Sequence, residues 1–242
     1  MRRLDDHGVR DALLVALTFS TGAIDAISFL VLGKVFSAFM TGNIVFLGFE
    51  LGGAAGPSTW RTVASIGAFA VGAALGTRLV APTAGAHAVW PRRVTAALAA
   101  GAVAQTVFLV VWLAVGGHPS SVSADVLIAV SALAMGLQTA AVFSLGVRAV
   151  FSTAATATWT ALMGDLGAWS QTRDERRRLA SVLVALLAGA VAGAVLVVDA
   201  RAWAALLPLT VSASVVAVAA SRLHPAPSGR QVGVPRARVR SG

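Results

Sequence analysis

Apolar and polar residues follow each other along this chain in long blocks. A hydrocarbon core of ~30 Å is crossed by an α-helix of about 20 apolar residues, because each residue rises about 1.5 Å. Six apolar blocks reach that length, at residues 11–32, 62–81, 94–115, 126–146, 179–198 and 202–221. The pattern therefore predicts six transmembrane helices.

A further apolar stretch occurs twice, at residues 35–52 and 150–167, with the second copy 115 positions after the first. Each copy has small polar residues in its middle and an acid near its end, Glu50 in the first and Asp165 in the second. Polar groups are costly inside a membrane and often mark functional positions there. We therefore expect these two segments to carry the functional site.

The other segments repeat in the same order. Residues 1–115 are predicted to form a first repeat and residues 126–221 a second, joined by a turn-rich connector at 116–125. Residues 222–242 are a basic tail rich in Pro, Ser and Gly, which predicts disorder. A GxxxG motif, which lets helices approach closely, occurs at the matching place in each half, at Gly72 and Gly76 and at Gly189 and Gly193.

The arginines decide how many segments cross, since cytoplasmic loops carry an excess of Lys and Arg. If both copies crossed, there would be eight spans, and Arg78, Arg92 and Arg93 would lie outside. If neither crosses fully, these arginines are cytoplasmic with both termini, and only Lys34, Arg61 and Arg201 lie outside. Seven spans remain as an alternative if one copy crosses.

The six-span arrangement gives three spans per half, so the second half is inserted upside down relative to the first. The predicted fold is an all-α integral membrane protein. It has about six transmembrane helices plus two short or broken helices, built as two inverted repeats.

Composition agrees with a membrane protein, because 57% of the residues are hydrophobic and only 12% are charged, against about 25% charged in soluble domains. The net charge of +9 comes from arginines spread over loops and the tail. We therefore expect a lipid bilayer rather than nucleic acid as partner, and a homodimer is an option for so small a chain. There is no cysteine, and all four histidines fall in loops or tails. We predict no metal site and no cofactor.

Asp25 is the leading candidate residue, because it lies in the middle third of the first helix. It could be a carboxylate that couples proton or cation movement, or a structural acid bonded to Ser28, Thr41 or Asn43. Thr41, Gly42 and Asn43 could bind a ligand from a broken helix, or form interhelical hydrogen bonds. The second-half candidates are Gln138, Thr156 and Thr158.

Broken segments at corresponding places in inverted halves are typical of secondary transporters, which bind their substrates near the membrane midplane. The sequence therefore favours a small transporter of unknown substrate. A ligand-binding, sensory or structural membrane protein without transport is the alternative. An intramembrane enzyme is disfavoured, because no buried histidine could activate a serine.

A resemblance to a known family rests on a run of first-half residues. These are Gly22, Asp25, Ser28, Leu32-Gly33, Val35-Phe36 and Met40-Thr41-Gly42-Asn43, with Val45 and Gly48. The run resembles the YoaK family of bacterial membrane proteins, also called DUF1275. In the second half, the family's Gly-x-Gln-Asn-Ala element has Thr139 here in place of its Asn, and its Thr-Gly-Thr-x-Thr element has Ala157 here in place of its Gly. The resemblance implies a multi-span protein of the bacterial inner membrane, often described as a permease or transporter.

Overall fold

The structure, a computed structural model, describes residues 5–81, 88–147, 155–168 and 172–224. Within these ranges the chain forms helices and turns and no strand. Most of the tail predicted to be disordered, residues 225–242, lies outside them. The helices are α1 (Asp6–Val31), α2 (Met40–Leu51), α3 (Thr59–Val80), α4 (Arg92–Ala114), α5 (Ser121–Ser144), α6 (Ala155–Ala168), α7 (Arg173–Asp199) and α8 (Leu206–Val218).

Six helical segments of the described chain are long and apolar enough to cross a membrane. Five of them are α1, α3, α4, α5 and α7, and the sixth, Arg201–Leu223, contains α8 between a 3-10 turn and a π-helical turn. The short helices α2 and α6 coincide with the two copies of the repeated stretch. The prediction of an all-α membrane protein with six spans and two short helices is confirmed.

Side-chain caps explain where several spans begin. The first N–H groups of a helix have no partner inside it, and Ser, Thr or Asp in front of the helix can accept from them. The Asp5 carboxylate accepts from the Gly8 N–H at 2.9 Å, and the Thr172 hydroxyl from the Glu175 N–H at 3.2 Å. Ser120 caps α5 in the same way. Helix α5 therefore begins at Ser121, inside the connector predicted at 116–125.

Helices α1 and α5 form the centre of the bundle. Their spans are 56% and 72% buried, whereas the other four are between 22% and 33% buried. Helix α1 packs on α7 and α8, and α5 packs on α3 and α4, with α4 and α8 in contact between them. The short helices lie at the periphery, α2 on α3 and α6 on α7. Each central helix therefore has its main partner in the other half of the chain.

Glycines allow these two main contacts to be close. A Cβ built on Gly72 of α3 would collide with the backbone of Leu133 in α5. A Cβ built on Gly189 of α7 would collide with the backbone of Phe19 in α1. Such close approach is the usual role of GxxxG motifs between membrane helices. Gly22, Gly76, Gly136 and Gly193 lie in the same two contacts.

An ion pair joins the N-terminal ends of the helices in each contact, within their first two turns. The Arg61 Nε lies 2.6 Å from the Asp125 Oδ1, joining the start of α3 to the start of α5. The Arg178 Nη1 lies 3.6 Å from the Asp11 Oδ2, joining the start of α7 to the start of α1. The α3–α5 contact and the α1–α7 contact are thus built alike, each with close-packed glycines and an ion pair of its own.

Candidate functional site

The backbone between α1 and α2, residues 32–39, is not helical and lies within the bundle. We call it the α1–α2 connection. It turns through Gly33 and Lys34, whose φ angles are +97° and +66°, and Val35 and Ser37 in it are fully buried. Non-helical backbone at membrane depth is tolerated only where protein or a wet cavity satisfies its polar groups. The side chains that do so form the centre of the candidate site.

Asp25 of α1 is the first of these side chains. Its Oδ1 accepts from the backbone N–H groups of Ser37 and Ala38, both at 2.8 Å. These groups directly precede α2, and the positive end of the helix dipole there favours a carboxylate. The Ser28 hydroxyl donates to the Asp25 backbone carbonyl at 3.1 Å, not to the carboxylate. Asp25 therefore anchors the connection to α1 through backbone donors.

Asn43 of α2 is the second. Its Oδ1 accepts from the Phe36 N–H at 2.9 Å, and its Nδ2 donates to the Phe36 carbonyl at 2.8 Å. The same Nδ2 donates to Ser65 Oγ at 3.1 Å, and the Ser65 hydroxyl donates to the Phe36 carbonyl at 2.6 Å. The Asn43 side chain thus pairs with one residue's backbone as a neighbouring strand would. It is fully buried, and its hydrogen bonds hold the connection in place.

The remaining first-half candidates lie around these two anchors. The Ser37 and Ser131 hydroxyls are 2.7 Å apart and join the connection to α5. Thr41 is exposed in the first turn of α2. A Cβ on Gly42 would stand 2.7 Å from the Phe39 ring and 3.0 Å from the Phe36 ring. Gly42 therefore makes room for these rings.

The second-half candidates are more dispersed. The Gln138 Nε2 donates to the Thr21 hydroxyl at 2.9 Å and links α5 to α1. Thr156 is exposed and Thr158 is fully buried, both near the start of α6. The second-copy residues 150–154, which correspond to the end of the α1–α2 connection, lie outside the described ranges. The two copies are therefore comparable only from residue 155 onward.

A cavity of about 590 Å³ lies beside Asp25, within the ~300–1,000 Å³ of typical ligand pockets. Helix α1, the α1–α2 connection, α7 and the first residue of α6 form its walls. Among the candidates predicted from sequence, Asp25 and no other lines it, although Ala155 brings the second copy to its wall. The other described lining residues are Thr21, Gly22, Ala26, Phe29, Leu30, Phe36, Phe39, Leu186, Ala190, Val191 and Ala194.

Sequence reasoning did not identify the α7 wall or the three phenylalanines. A weak signal for the wall exists, because Ala190 and Ala194 are small residues four positions apart on an apolar helix. The exposed side chains of Leu30, Phe39 and Val191 show where the cavity opens to the surroundings. A carboxylate on the wall of such a cavity can exchange a proton or bind a cation while its backbone donors keep it in place.

Comparison with known proteins agrees with this architecture. A family profile described as "Protein of unknown function (DUF1275)" matches residues 13–219, most of the chain. The chain is 33% identical over 157 residues to the "UPF0700 transmembrane protein YoaK" of Bacillus subtilis (strain 168). That alignment covers 65% of this chain and 67% of the relative. No solved structure matches. The chain belongs to the DUF1275 family, and its relative in Bacillus subtilis is named a transmembrane protein.

Proposed function

We propose that this protein is a small secondary transporter of the bacterial inner membrane, with both termini in the cytoplasm. One observation carries the proposal. The Asp25 carboxylate lies within a membrane span, anchors a non-helical segment and lines a cavity of about 590 Å³. A carboxylate at such a place is the usual means by which a transporter couples a proton or cation to its substrate. In this proposal Asp25 is the coupling group and the cavity holds the substrate.

Inverted halves are part of the proposal. Its support is the matched packing of the two halves, in which α1 meets α7 as α5 meets α3. The ion pairs correspond in the same way, Arg61 with Asp125 and Arg178 with Asp11. Three spans per half put the beginnings of α1 and α5 on opposite sides of the membrane. One ion pair would then lie at each face, where it could close one side while the other is open.

Cysteine accessibility tests the proposal, because the chain has no cysteine of its own. Ala194→Cys places a thiol on the cavity wall, and Ala188→Cys places one on an exposed face of α7 outside the cavity. A membrane-impermeant thiol reagent is applied from each side of sealed vesicles under a proton gradient of either direction. We expect the labelling rate of Ala194→Cys to change with the direction of the gradient. Asp25→Asn should remove that change, and Ala188→Cys should not respond.

If the labelling rate of Ala194→Cys is the same under both directions of the proton gradient, transport driven through Asp25 is contradicted. That result would favour the second candidate, a ligand-binding or sensory membrane protein, which the cavity also supports because binding does not require alternating access. The DUF1275 membership is compatible with both candidates, since the family description assigns no activity.

A further inference from the structure

The chemical character of the cavity beside Asp25 limits the classes of ligand that it can bind. Its walls are apolar helix faces and phenylalanine rings, and Asp25 is the ionisable residue among the described lining residues. The one hydroxyl among the described lining residues, that of Thr21, donates to the Leu17 carbonyl at 3.0 Å and accepts from Gln138. The described part of the cavity wall thus offers a ligand apolar contact and a single negative group.

The negative group has no cationic partner in the described part of the chain. The ion pairs found there involve Asp11, Asp125 and Glu175, and none involves Asp25. Its hydrogen-bond partners are backbone N–H groups, which are neutral. A buried ionised carboxylate is stable when it is paired with a cation. A ligand with a positive charge would supply that pairing.

The aromatic rings favour the same kind of ligand. Phe29 and Phe36 stack with ring centroids 5.0 Å apart, and Phe39 meets Phe36 edge to face at 5.2 Å. All three rings line the cavity. A ring face attracts a cation within about 6 Å of its centroid. The Lys34 ammonium lies 5.1 Å from the Phe29 centroid, so Phe29 already has a cation of the protein itself, and the charge of a ligand would lie nearer Phe36 and Phe39.

We propose that the cavity binds a lipophilic organic cation, with its charge between the Asp25 carboxylate and the phenylalanine rings and its apolar body against α7. This inference rests on the proposed function for its biological meaning, since the cation would be the transported substrate. A lipid chain is the competing occupant, because the cavity opens at exposed apolar residues. A lipid chain needs no negative charge, and this difference separates the two occupants.

Two probe ions of the same shape and opposite charge make the test direct. Tetraphenylphosphonium and tetraphenylborate are both apolar spheres with four phenyl rings. Binding of each is measured by equilibrium dialysis with the purified full-length protein in detergent, with protein-free detergent as the partition control. We expect saturable binding of the phosphonium and none of the borate. Equal saturable binding of both ions would identify an apolar slot for lipid and overturn the proposal.

Matched variants locate the site. Asp25→Asn should weaken phosphonium binding at least tenfold, whereas Asp199→Asn, at the exposed end of α7, should not change it. Ala194→Trp should abolish binding by filling the cavity, whereas Ala188→Trp, on the same helix and outside the cavity, should not. Unchanged binding in Asp25→Asn or in Ala194→Trp would overturn the proposal.

A further pair of variants covers the case in which Asp25→Asn does not fold. Phe39 and Phe49 are both 43% exposed, and Phe39 lines the cavity whereas Phe49 does not. Phe39→Leu should weaken phosphonium binding several-fold, and Phe49→Leu should leave it unchanged. Equal phosphonium affinities of Phe39→Leu and Phe49→Leu would overturn the placement of the ligand's positive charge against the phenylalanine rings of the cavity.

Reconstituted vesicles separate this inference from the proposed function. If phosphonium binds through Asp25 but a pH gradient drives no accumulation of it, the cation site stands and the transporter proposal fails. If proton flux through Asp25 accompanies another solute and phosphonium does not bind, the transporter proposal stands and the substrate class is wrong.

Discussion

Replacing Asn43 with alanine should cost the protein a large part of its stability. The change removes the acceptor of the Phe36 N–H and the donor to the Phe36 carbonyl, together with a bond to Ser65. The Phe36 carbonyl keeps the Ser65 hydroxyl at 2.6 Å, but the Phe36 N–H loses the one partner that the described structure gives it. The α1–α2 connection would then be held mainly by Asp25.

The size of the effect follows from the number of bonds. Hydrogen bonds between membrane helices average about 0.6 kcal/mol and reach about 1.7 kcal/mol, and three bonds of that average size amount to about 2 kcal/mol. A buried backbone N–H left without an acceptor costs about 1–3 kcal/mol. The two figures count the loss of the Phe36 N–H bond twice, so they do not simply add. We expect Asn43→Ala to lower the free energy of unfolding by about 2–4 kcal/mol.

The measurement is unfolding of the purified protein in mixed micelles, with two variants for comparison. Ser65→Ala should cost less than Asn43→Ala, because Asn43 still donates to the Phe36 carbonyl. Thr41→Ala alters an exposed residue of the same helix and should have almost no effect. If Asn43→Ala costs no more than Thr41→Ala, the Asn43 amide does not hold the connection and our interpretation of the site is wrong.

Three other predictions concern the bundle. Gly72→Ala should destabilise the protein by about 1–3 kcal/mol through overpacking against Leu133, whereas Gly67→Ala on the same helix, with open space around it, should not; unfolding in micelles compares the two. A double-mutant cycle on Arg61 and Asp125 should give a coupling of about 0.5–1 kcal/mol that falls with added salt, and a coupling of zero would show that the 2.6 Å contact is not stabilising. Burial and the Arg92 guanidinium hold the pKa of His224 below its ordinary value of 6.5, and the His224 Nε2 lies 2.9 Å from the Thr95 hydroxyl oxygen. The stability from neutral His224 should therefore be present above pH 6.5 and lost as the pH falls through the folded-state pKa; an NMR titration midpoint of His224 at or above 6.5 would contradict this.

The spans were predictable because length and hydropathy are local properties of the sequence. The anchors of the α1–α2 connection were predictable only as residue types. Asp25 and Asn43 were identified as polar residues in apolar surroundings, and their spacing did not show that both bind backbone of residues 36–38. That geometry depends on how the chain turns at Gly33 and Lys34.

The far wall of the cavity could not be predicted for a different reason. Ala190 and Ala194 reach Asp25 only because α7 packs on α1, and nothing local in either segment specifies that partner. Gln138 shows the same limit, because its buried amide needed a partner but the sequence did not indicate Thr21 of α1. Contacts between distant helices depend on packing, which the polarity of single positions does not encode.

The pairing of α1 with α7 has a consequence for how the protein is made. Helix α1 is synthesised first, and the backbone that its Gly22 contacts, at Leu186 and Ala190, is translated about 165 residues later. At ~5–20 residues per second, that delay is about 8–30 s. During this time the glycine-bearing face of α1 has no permanent neighbour, while α3 and α5 can already pair. The contact at the centre of the bundle therefore forms late, when α7 packs on the first helix and completes the wall beside Asp25.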